Sequence, residues 1–344
     1  MKKLLTSTAI ASMALTSISS VALSEVSMKG YVETTISSQE TASTTKQDNN
    51  GTDIGHDSGV TISGAVDTDA GYKFTGRFTI NSDGDGEDTQ TSIEQQALQI
   101  SNGDYTVTIG SDVVAGTDAR IIPTVADAIE DGVKTSNGSY SQNYGSAHDN
   151  NLIAFETNMG DMGSIDIMYV PKLGKNKNGD TDATADTAVS GSATEIAFKG
   201  GLGVDGLTVL AGQTKQKNAN DTGSNEGKMT TMGIAYNMGQ FAVGYQQTKT
   251  DGFTSAGALE DSDDTNKYKG YGVTYAVNDQ LSLGIEYGES SGDDFTVDEE
   301  VTSWTVGYNL GGAVVSLQYM SLENNAGATG NDGEGLMLRN KISF

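Results

Sequence analysis

Apolar and polar residues alternate with a period of two along almost the whole chain, and this pattern restricts the fold more than any other feature. In the segment SMKGYVETTI, Met28, Val32 and Ile36 share one face, while Lys29 and Glu33 share the other. Alternation over short segments separated by turn residues is typical of β-strands with two different faces. Because it recurs in about fifteen further segments, the sequence predicts an all-β protein of about 16 strands.

The connections between these segments alternate in length. Short turns such as Thr68-Asp69 and Asn102-Gly103 exchange with long polar loops at 38–58, 81–90, 111–149, 171–192, 215–227, 250–266, 289–299 and 322–334. Strands joined by short turns at one end of the sheet and by long loops at the other are typical of a transmembrane antiparallel β-barrel. A soluble sandwich would instead turn its charged face to the solvent. Here the non-apolar face is rich in Gly, Thr, Ser and Gln, as a water-filled lumen requires.

The last ten residues, GLMLRNKISF, form a two-faced segment. Leu336, Leu338 and Ile342 lie on the apolar face, whereas Arg339 and Lys341 lie on the other. In a closed barrel the final strand pairs with the first, which removes both edges. We therefore expect the apolar face to contact lipid and the two cations to face the pore. Aromatic residues beside the short turns predict an interfacial girdle: Tyr105, Tyr236, Phe241, Tyr275, Tyr308 and Phe344.

The N-terminus and the composition narrow the function. Residues 1–24 have a basic start, an apolar stretch and a small-residue cleavage pattern, which predicts an export signal peptide rather than an anchor and leaves 25–344 as the barrel. The chain contains no Cys, so disulfides and thiolate metal sites are excluded. Its two histidines, His56 and His148, lie in polar surroundings, and its net charge of −26 opposes binding to nucleic acid.

The chain resembles the general diffusion porins of Gram-negative bacteria, in particular the alphaproteobacterial type. The likeness covers the opening EVSMKGYVETTIS, the sixteen-strand rhythm, one over-long loop after the fifth strand and the terminal Phe344. It implies a homotrimer of outer-membrane barrels that pass small hydrophilic solutes and need no cofactor. It also implies that the third long loop of each barrel folds inward and narrows the pore.

The longest predicted loop, residues 111–149, contains the segment PTVADAIEDG. Thr124 is a good N-cap, Asp127 completes a capping-box pattern and Gly132 is a plausible C-cap, so the segment predicts a helix of about two turns. Val125 and its apolar neighbours are available for packing. A loop of this length is usually functional or disordered. Following the resemblance we expect it to constrict the pore; a surface helix that contacts a neighbouring subunit is the alternative.

Charged residues predict the two sides of this constriction. Closure places the last strand beside the first, so we expect a basic wall of Lys73, Arg77 and Arg339, with Lys29 and Lys341 nearer the periplasmic mouth. The loop would present the opposing acids Asp118, Asp127, Glu130 and Asp131, and Arg120 could bridge the two sides. Such charge patterns set ion selectivity in a narrow aqueous path. Scattered solvated charges are the alternative.

Three of the predicted outer loops are strongly acidic: 82–89, 259–265 and 291–300. In the first, Asp83, Asp85 and Glu87 have part of the spacing of a calcium loop, but the segment lacks the glycine and distal glutamate of an EF-hand. A loop-bound Ca²⁺ is therefore only a minor expectation. Divalent cations could also bridge these acids to lipopolysaccharide. The main role expected for the acids is to keep the rim soluble, with a mild preference for cations.

Two short motifs suggest other functions. GLGVDG (201–206) has the spacing of a dinucleotide loop, but a strand follows it rather than a helix, so it predicts a turn. GESSG (288–292) has the spacing of a hydrolase nucleophile but lies in an acidic loop. A passive channel is therefore the preferred hypothesis. A barrel phospholipase or protease and a receptor or adhesin barrel remain the alternatives.

Overall fold

The computed structural model describes residues 26–41, 51–84, 90–110, 119–125, 152–171, 190–220, 223–252 and 264–344. The described part forms a closed antiparallel barrel in which each strand pairs with its sequence neighbours and β1 pairs with β16. The strands are β1 Val26–Thr41, β2 Gly51–Asp67, β3 Lys73–Gly84, β4 Gln90–Ser101, β5 Tyr105–Gly110, β6 Leu152–Asn158, β7 Ser164–Val170, β8 Ser190–Gly200, β9 Leu207–Asn220, β10 Gly223–Met238, β11 Phe241–Asp251, β12 Thr265–Ala276, β13 Leu281–Gly292, β14 Glu299–Asn309, β15 Ala313–Glu323 and β16 Gly333–Ser343. The predicted sixteen-stranded barrel is confirmed.

Closure of the barrel depends on the C-terminal segment. Tyr31 on β1 stands opposite Ser343 on β16, and the ladder continues to the pair formed by Thr41 and Gly333. Beyond the ladder, the backbone N–H groups of Gly30 and Phe344 each donate to the other residue's carbonyl oxygen, at 2.8 and 2.9 Å. The predicted pairing of the last strand with the first is therefore confirmed, and it leaves neither strand with a free edge.

The two faces of the barrel wall differ as the alternation predicts. On β14, Trp304 is 53% exposed on the outer face, whereas its inward neighbour Ser303 is fully buried. On β16, Leu336 and Leu338 are exposed, while Arg339 is buried on the inner face. The apolar residues therefore face outward and the polar residues face the lumen. This arrangement is opposite to that of a soluble sandwich.

The pairing between β3 and β4 contains an irregularity that the alternation did not predict. Arg77 stands opposite Ala97, whereas Thr79 stands opposite Glu94, so β4 has one more residue than β3 over this stretch. An extra residue in one strand is a β-bulge. Because it shifts the alternation by one position, both Ile93 and Leu98 are exposed on the outer face.

Several strands are longer than predicted. The predicted loop 215–227 is mostly strand, since β9 continues to Asn220 and β10 starts at Gly223. Likewise β1 and β2 leave only residues 42–50 between them, instead of 38–58. Apart from Ile54, these extensions consist of polar residues, glycine and alanine, so the apolar alternation fades while backbone pairing continues.

Two further predictions concern the chain's short connections and its start. GLGVDG forms the turn between β8 and β9, with positive φ at Leu202, Gly203 and Gly206, which confirms that prediction. The predicted signal peptide, residues 1–24, lies outside the described residues. Among the described residues, no helical segment has the length and apolar character needed to cross a membrane.

The contact between Gly30 and Phe344 predicts that a larger side chain at position 30 destabilises the closed barrel. A Cβ atom at Gly30 would lie 2.7 Å from the Phe344 ring and 3.0 Å from the Gly59 carbonyl oxygen. Because overpacking typically costs about 1–3 kcal/mol, Gly30→Val should lower the temperature at which the folded, fast-migrating gel band is lost. Gly64→Val is the matched control, since a Cβ at Gly64 meets nothing within 4 Å. Equal melting of the two variants would contradict this account of closure.

Candidate functional site

Residues 119–125 of the long loop turn into the barrel and attach to its inner wall. Gln246 on β11 faces the lumen, and its side-chain Oε1 accepts a hydrogen bond from the Ile121 backbone N–H at 3.0 Å. The Gln246 amide nitrogen donates in return to the Ala119 carbonyl oxygen at 3.2 Å. One buried side chain thus satisfies both a donor and an acceptor of the loop backbone, and fixes the segment in register against the wall.

The wall under this segment is lined by glycines from five adjacent strands, which we call the glycine track. A Cβ at any of these positions would meet loop atoms. Gly272 gives the closest example: its Cβ would lie 2.3 Å from Ile122 and 2.5 Å from the Pro123 carbonyl oxygen. The track comprises Gly233 on β10, Gly244 on β11, Gly270 and Gly272 on β12, Gly284 on β13 and Gly307 on β14.

The loop segment packs its apolar side chains on the glycine track. Ile121, Ile122 and Val125 are all buried. Full burial of such a side chain contributes roughly 1.5–3 kcal/mol, so an apolar segment entering a polar lumen gains by lying on a wall without side chains. Val125 extends the contact to Gly284 and Gly307. For the described segment, the inward course expected of this loop is therefore present.

Arg120 makes a buried ion pair from the loop to the wall. Its guanidinium contacts the carboxylate of Glu286 on β13, and both side chains are almost completely buried. The sequence-based hypothesis placed Arg120 between the basic wall and the loop acids. The structure instead pairs it with Glu286, because the segment crosses the glycine track of β10–β14 and meets β13 there.

A second buried ion pair lies beside the barrel closure. The Arg339 guanidinium donates to Glu33 on β1 at 2.7 Å, and the Lys341 ammonium lies 3.5 Å from the same carboxylate. Lys341 also lies 4.8 Å above the centre of the Tyr31 ring, and the Tyr31 hydroxyl donates to Asp57 at 2.9 Å. Arg339 was expected in a basic wall that faces the loop acids; the structure gives its charge a carboxylate partner on β1.

The remaining predicted cations take separate positions. Arg77 is half-buried on β3, and its neighbours across the ladder are Ser63 and Ala97. Lys29 and Lys73 are exposed near the short-turn end of their strands. The structure therefore brings Arg339 and Lys341 together around Glu33.

The loop acids cannot be placed in the same way. The predicted helix and the acids Asp118, Asp127, Glu130 and Asp131 lie outside the described residues. The opposition of basic wall and loop acids therefore stays a prediction.

Three parts of the site were missed by sequence reasoning: Glu33, Glu286 and the glycine track. Both glutamates stand at lumen positions of alternating strands, so the pattern showed which side they face but not which cation they meet. The glycines at positions 270 and 272 repeat with the strand period, which signals a bare strip on one face. Their partner is distant in sequence, so only the tertiary structure identifies it.

The hydrolase-like motif GESSG lies in the regular strand β13 and not in a loop, so its predicted placement in an acidic loop is wrong. Ser290 is buried on its lumen face and stands opposite Tyr268 of β12, so no sharp strand-to-helix turn surrounds it. His56 lies on the outer face of β2, and His148 is outside the described residues. In the described ranges, no group of three or more His, Asp or Glu side chains is placed to hold a metal ion. Asp85 and Glu87 of the calcium-like spacing are not among those residues.

The contact between loop and track can be tested by an engineered disulfide, since the native chain contains no Cys. A Cβ at Gly284 would lie 3.3 Å from the Val125 Cβ, close to the 3.5–4.5 Å typical of disulfides. The pair Val125→Cys and Gly284→Cys should therefore oxidise to an internal cross-link, seen as a gel shift that reductant reverses. The control pair Val125→Cys and Gly64→Cys should not cross-link. Failure of the first pair would show that the segment does not lie on the track.

Comparison with known proteins agrees with this architecture. The profile described as Gram-negative porin matches residues 7–337. An anion-selective porin from Comamonas acidovorans superposes with a TM-score of 0.65 at 17% identity, covering 93% of this chain and 99% of that one. OmpF of Salmonella typhi, in complex with daunomycin, gives 0.65 at 15% identity, with 93% and 97% coverage. A mutant porin of Rh. blastica gives 0.63 at 17%, with 93% and 100% coverage. No curated protein matches the chain.

The structural neighbours share the fold at low sequence identity, whereas the profile match identifies the family over nearly the whole length. The closed barrel, the outward apolar face and the inward loop segment agree with that family. The chain therefore belongs to the Gram-negative porin family, and it is an outer-membrane diffusion channel.

Proposed function

We propose that the barrel passes small hydrophilic solutes and ions without an energy source, through a lumen narrowed by the loop at residues 111–149. The observation that carries the proposal is the fixed position of residues 119–125 on the inner wall. Backbone hydrogen bonds to Gln246 and packing on the glycine track hold this segment. A loop anchored inside a water-filled barrel reduces the open cross-section while leaving a path on the opposite side.

The charges beside that path would set the selectivity. In this proposal, Lys73, Arg77 and Arg339 line the wall opposite the loop acids Asp118, Asp127, Glu130 and Asp131, with Lys29 and Lys341 nearer the periplasmic mouth. Glu33 joins the wall as a counter-charge, since it accepts from Arg339 and lies within 3.5 Å of Lys341. Selectivity would then follow the balance between Glu33 and these cations rather than the net charge of the chain.

The proposal also covers export of the barrel, its oligomeric state and its lack of catalysis. The barrel would be exported by the signal peptide at residues 1–24, assemble as a homotrimer and act without catalysis or a cofactor. Lack of catalysis is supported by the placement of Ser290 in a regular strand rather than in a nucleophile elbow. Contact with lipopolysaccharide, by divalent cations at the acidic loops, belongs to the same proposal.

Conductance across a planar bilayer tests the channel directly. The purified protein should give ohmic steps in groups of three, and the bilayer should become permeable to small sugars. Barrels that insert without current would overturn the proposal. So would lipid hydrolysis that disappears when Ser290 is replaced by Ala.

Glu33 provides a sharp test of the selectivity. Glu33→Gln removes the partner of Arg339 and Lys341, so the reversal potential in a salt gradient should move toward anion preference. Glu40→Gln is the matched control, because Glu40 lies on the same strand but is exposed on its outer face; it should leave the potential unchanged. Identical potentials for the two variants would remove Glu33 from the selectivity wall.

Replacing Arg77 tests whether ion selectivity also shifts in the opposite direction. Arg77→Gln removes a positive charge from the lumen face of β3, so the reversal potential should move toward cation preference. The single-channel conductance of the variant should change as well, because in this proposal Arg77 borders the narrow path. Wild-type values for both quantities would exclude Arg77 from the constriction.

A further inference from the structure

The outer face of the barrel carries a cluster of lysines near its long-loop end. On each of the strands β9 to β12, every second residue points outward. Exposed apolar residues such as Ile234 and Val273 show which residues these are. Six lysines occupy positions of the same outward parity, farther toward the long loops. We call them the basic arc: Lys215, Lys217, Lys228, Lys249, Lys267 and Lys269.

The basic arc contains like charges directly opposite each other. Lys215 on β9 pairs in register with Lys228 on β10, and Lys249 on β11 pairs with Lys267 on β12. Side chains at such positions are about 4.5–5.5 Å apart at Cβ, and like charges there are destabilising. Two such pairs on β9 to β12 concentrate positive charge on one part of the outer face of a chain whose net charge is −26.

Within the described ranges, carboxylates form ion pairs with half of these lysines. Lys217 pairs with Glu226, Lys249 with Asp251 at 2.7 Å, and Lys269 with Glu289 at 2.5 Å. Lys215, Lys228 and Lys267 form no ion pair within 4 Å in the described part of the chain, and Lys228 stands opposite Asp251, whose charge it shares with Lys249. Among the described residues, the arc therefore carries more positive than negative charge toward the outside of the barrel.

The position of the arc indicates what that ligand is. Directly below it lies a row of outward tyrosines in register across three strands, Tyr245, Tyr271 and Tyr287, whose rings are 4.9 and 6.0 Å apart. Phe241 and Tyr275, which the sequence predicts in the girdle beside the short turns, stand opposite each other four residues before this row. Lys249 and Lys267 lie eight residues beyond Phe241 and Tyr275, toward the long loops. A strand needs about 9–11 residues to cross a membrane, so the lysines lie near the head groups of the leaflet at the long-loop end.

Outward carboxylates lie next to the basic arc on β13 to β16 and on β1. Outward carboxylates stand opposite one another in register between β13 and β14, β14 and β15, and β16 and β1. We call this group the acidic arc: Glu40, Glu289, Glu300, Glu323 and Glu334. Because the two arcs differ in sign, a ligand that binds by charge must distinguish them.

We propose that the basic arc binds the anionic, phosphate-bearing head group of a lipid in the surrounding leaflet, with the acyl chains along the apolar outer face of β9 to β12. Phosphate oxygens would lie between the lysines of each cross-strand pair and remove their repulsion. The attraction of each lysine to an anionic lipid surface is modest, but Lys215, Lys228 and Lys267 act together. The proposal rests on the outer-membrane location of the barrel and not on which solutes pass through it.

Lipid binding to variants of the full barrel tests this proposal. Lys215→Gln, Lys228→Gln and Lys267→Gln are combined, and bound lipid is counted by native mass spectrometry in a zwitterionic detergent. The probes are phosphatidic acid and phosphatidylcholine with identical chains, so that only the head group differs. The wild type should retain phosphatidic acid at least about tenfold better than phosphatidylcholine, and the triple variant should lose about tenfold of that preference. High salt should reduce the preference as well.

Matched variants separate the site from general charge effects. Glu300→Gln, Glu323→Gln and Glu334→Gln change the same number of charges at outward positions and should not weaken retention. Replacement of the three lysines by Arg should preserve it. Inorganic phosphate at the lipid concentration should not displace the lipid; displacement would assign the site to a free anion and overturn the proposal. Equal retention by the wild type and the Gln variant of the lysines would overturn it too.

Channel activity is measured on the same samples. All variants should show the wild-type conductance, because none of the replaced residues faces the lumen. Normal conductance with unchanged lipid retention would reject the lipid site and leave the channel function standing. Self-association of the wild type that the Lys variant loses, without lipid preference, would assign the arc to contacts between copies and reject the lipid site.

Discussion

The whole structure depends on satisfying every backbone hydrogen bond inside the membrane. A strand in lipid cannot donate to water, so the sheet must close on itself. The seam between β1 and β16 provides that closure, and it ends in the reciprocal hydrogen bonds between Gly30 and Phe344. Once closure is required, each strand has one face toward lipid and one toward the lumen, and the period-two alternation follows.

A closed barrel with a polar interior creates the problem that the loop segment solves. An apolar stretch inside a wet lumen is stable only if it finds an apolar or bare surface. The glycine track supplies such a surface across β10–β14, and Gln246 fixes the register of the segment by two backbone hydrogen bonds. The narrowing is thus attached to one wall, while the wall near the seam carries the ion pair of Arg339 and Glu33.

Charges on the inner and outer faces are arranged by different rules. Inside, the buried cations Arg120 and Arg339 each meet a carboxylate, since an unpaired buried charge is costly. Outside, the rim places lysines opposite lysines and glutamates opposite glutamates, although three of the six lysines of the basic arc also have a carboxylate partner. Such repulsion is tolerable where solvent, ions or lipid head groups are present. Pairing of the buried cations in the lumen and partial pairing at the rim are therefore consistent with one barrel in two different environments.

The sequence by itself determined the fold class, the strand number and the direction in which most side chains point, because these follow from a local period and from turn spacing. It placed Arg339, Lys341 and Glu33 on the lumen side. Only the tertiary structure decided that Arg339 meets Glu33, that Arg120 meets Glu286, and that Val125 lies on Gly284 and Gly307. These contacts join residues far apart in the chain, and their geometry depends on the register of the closed sheet and on the course of the loop segment, neither of which leaves a periodic signal.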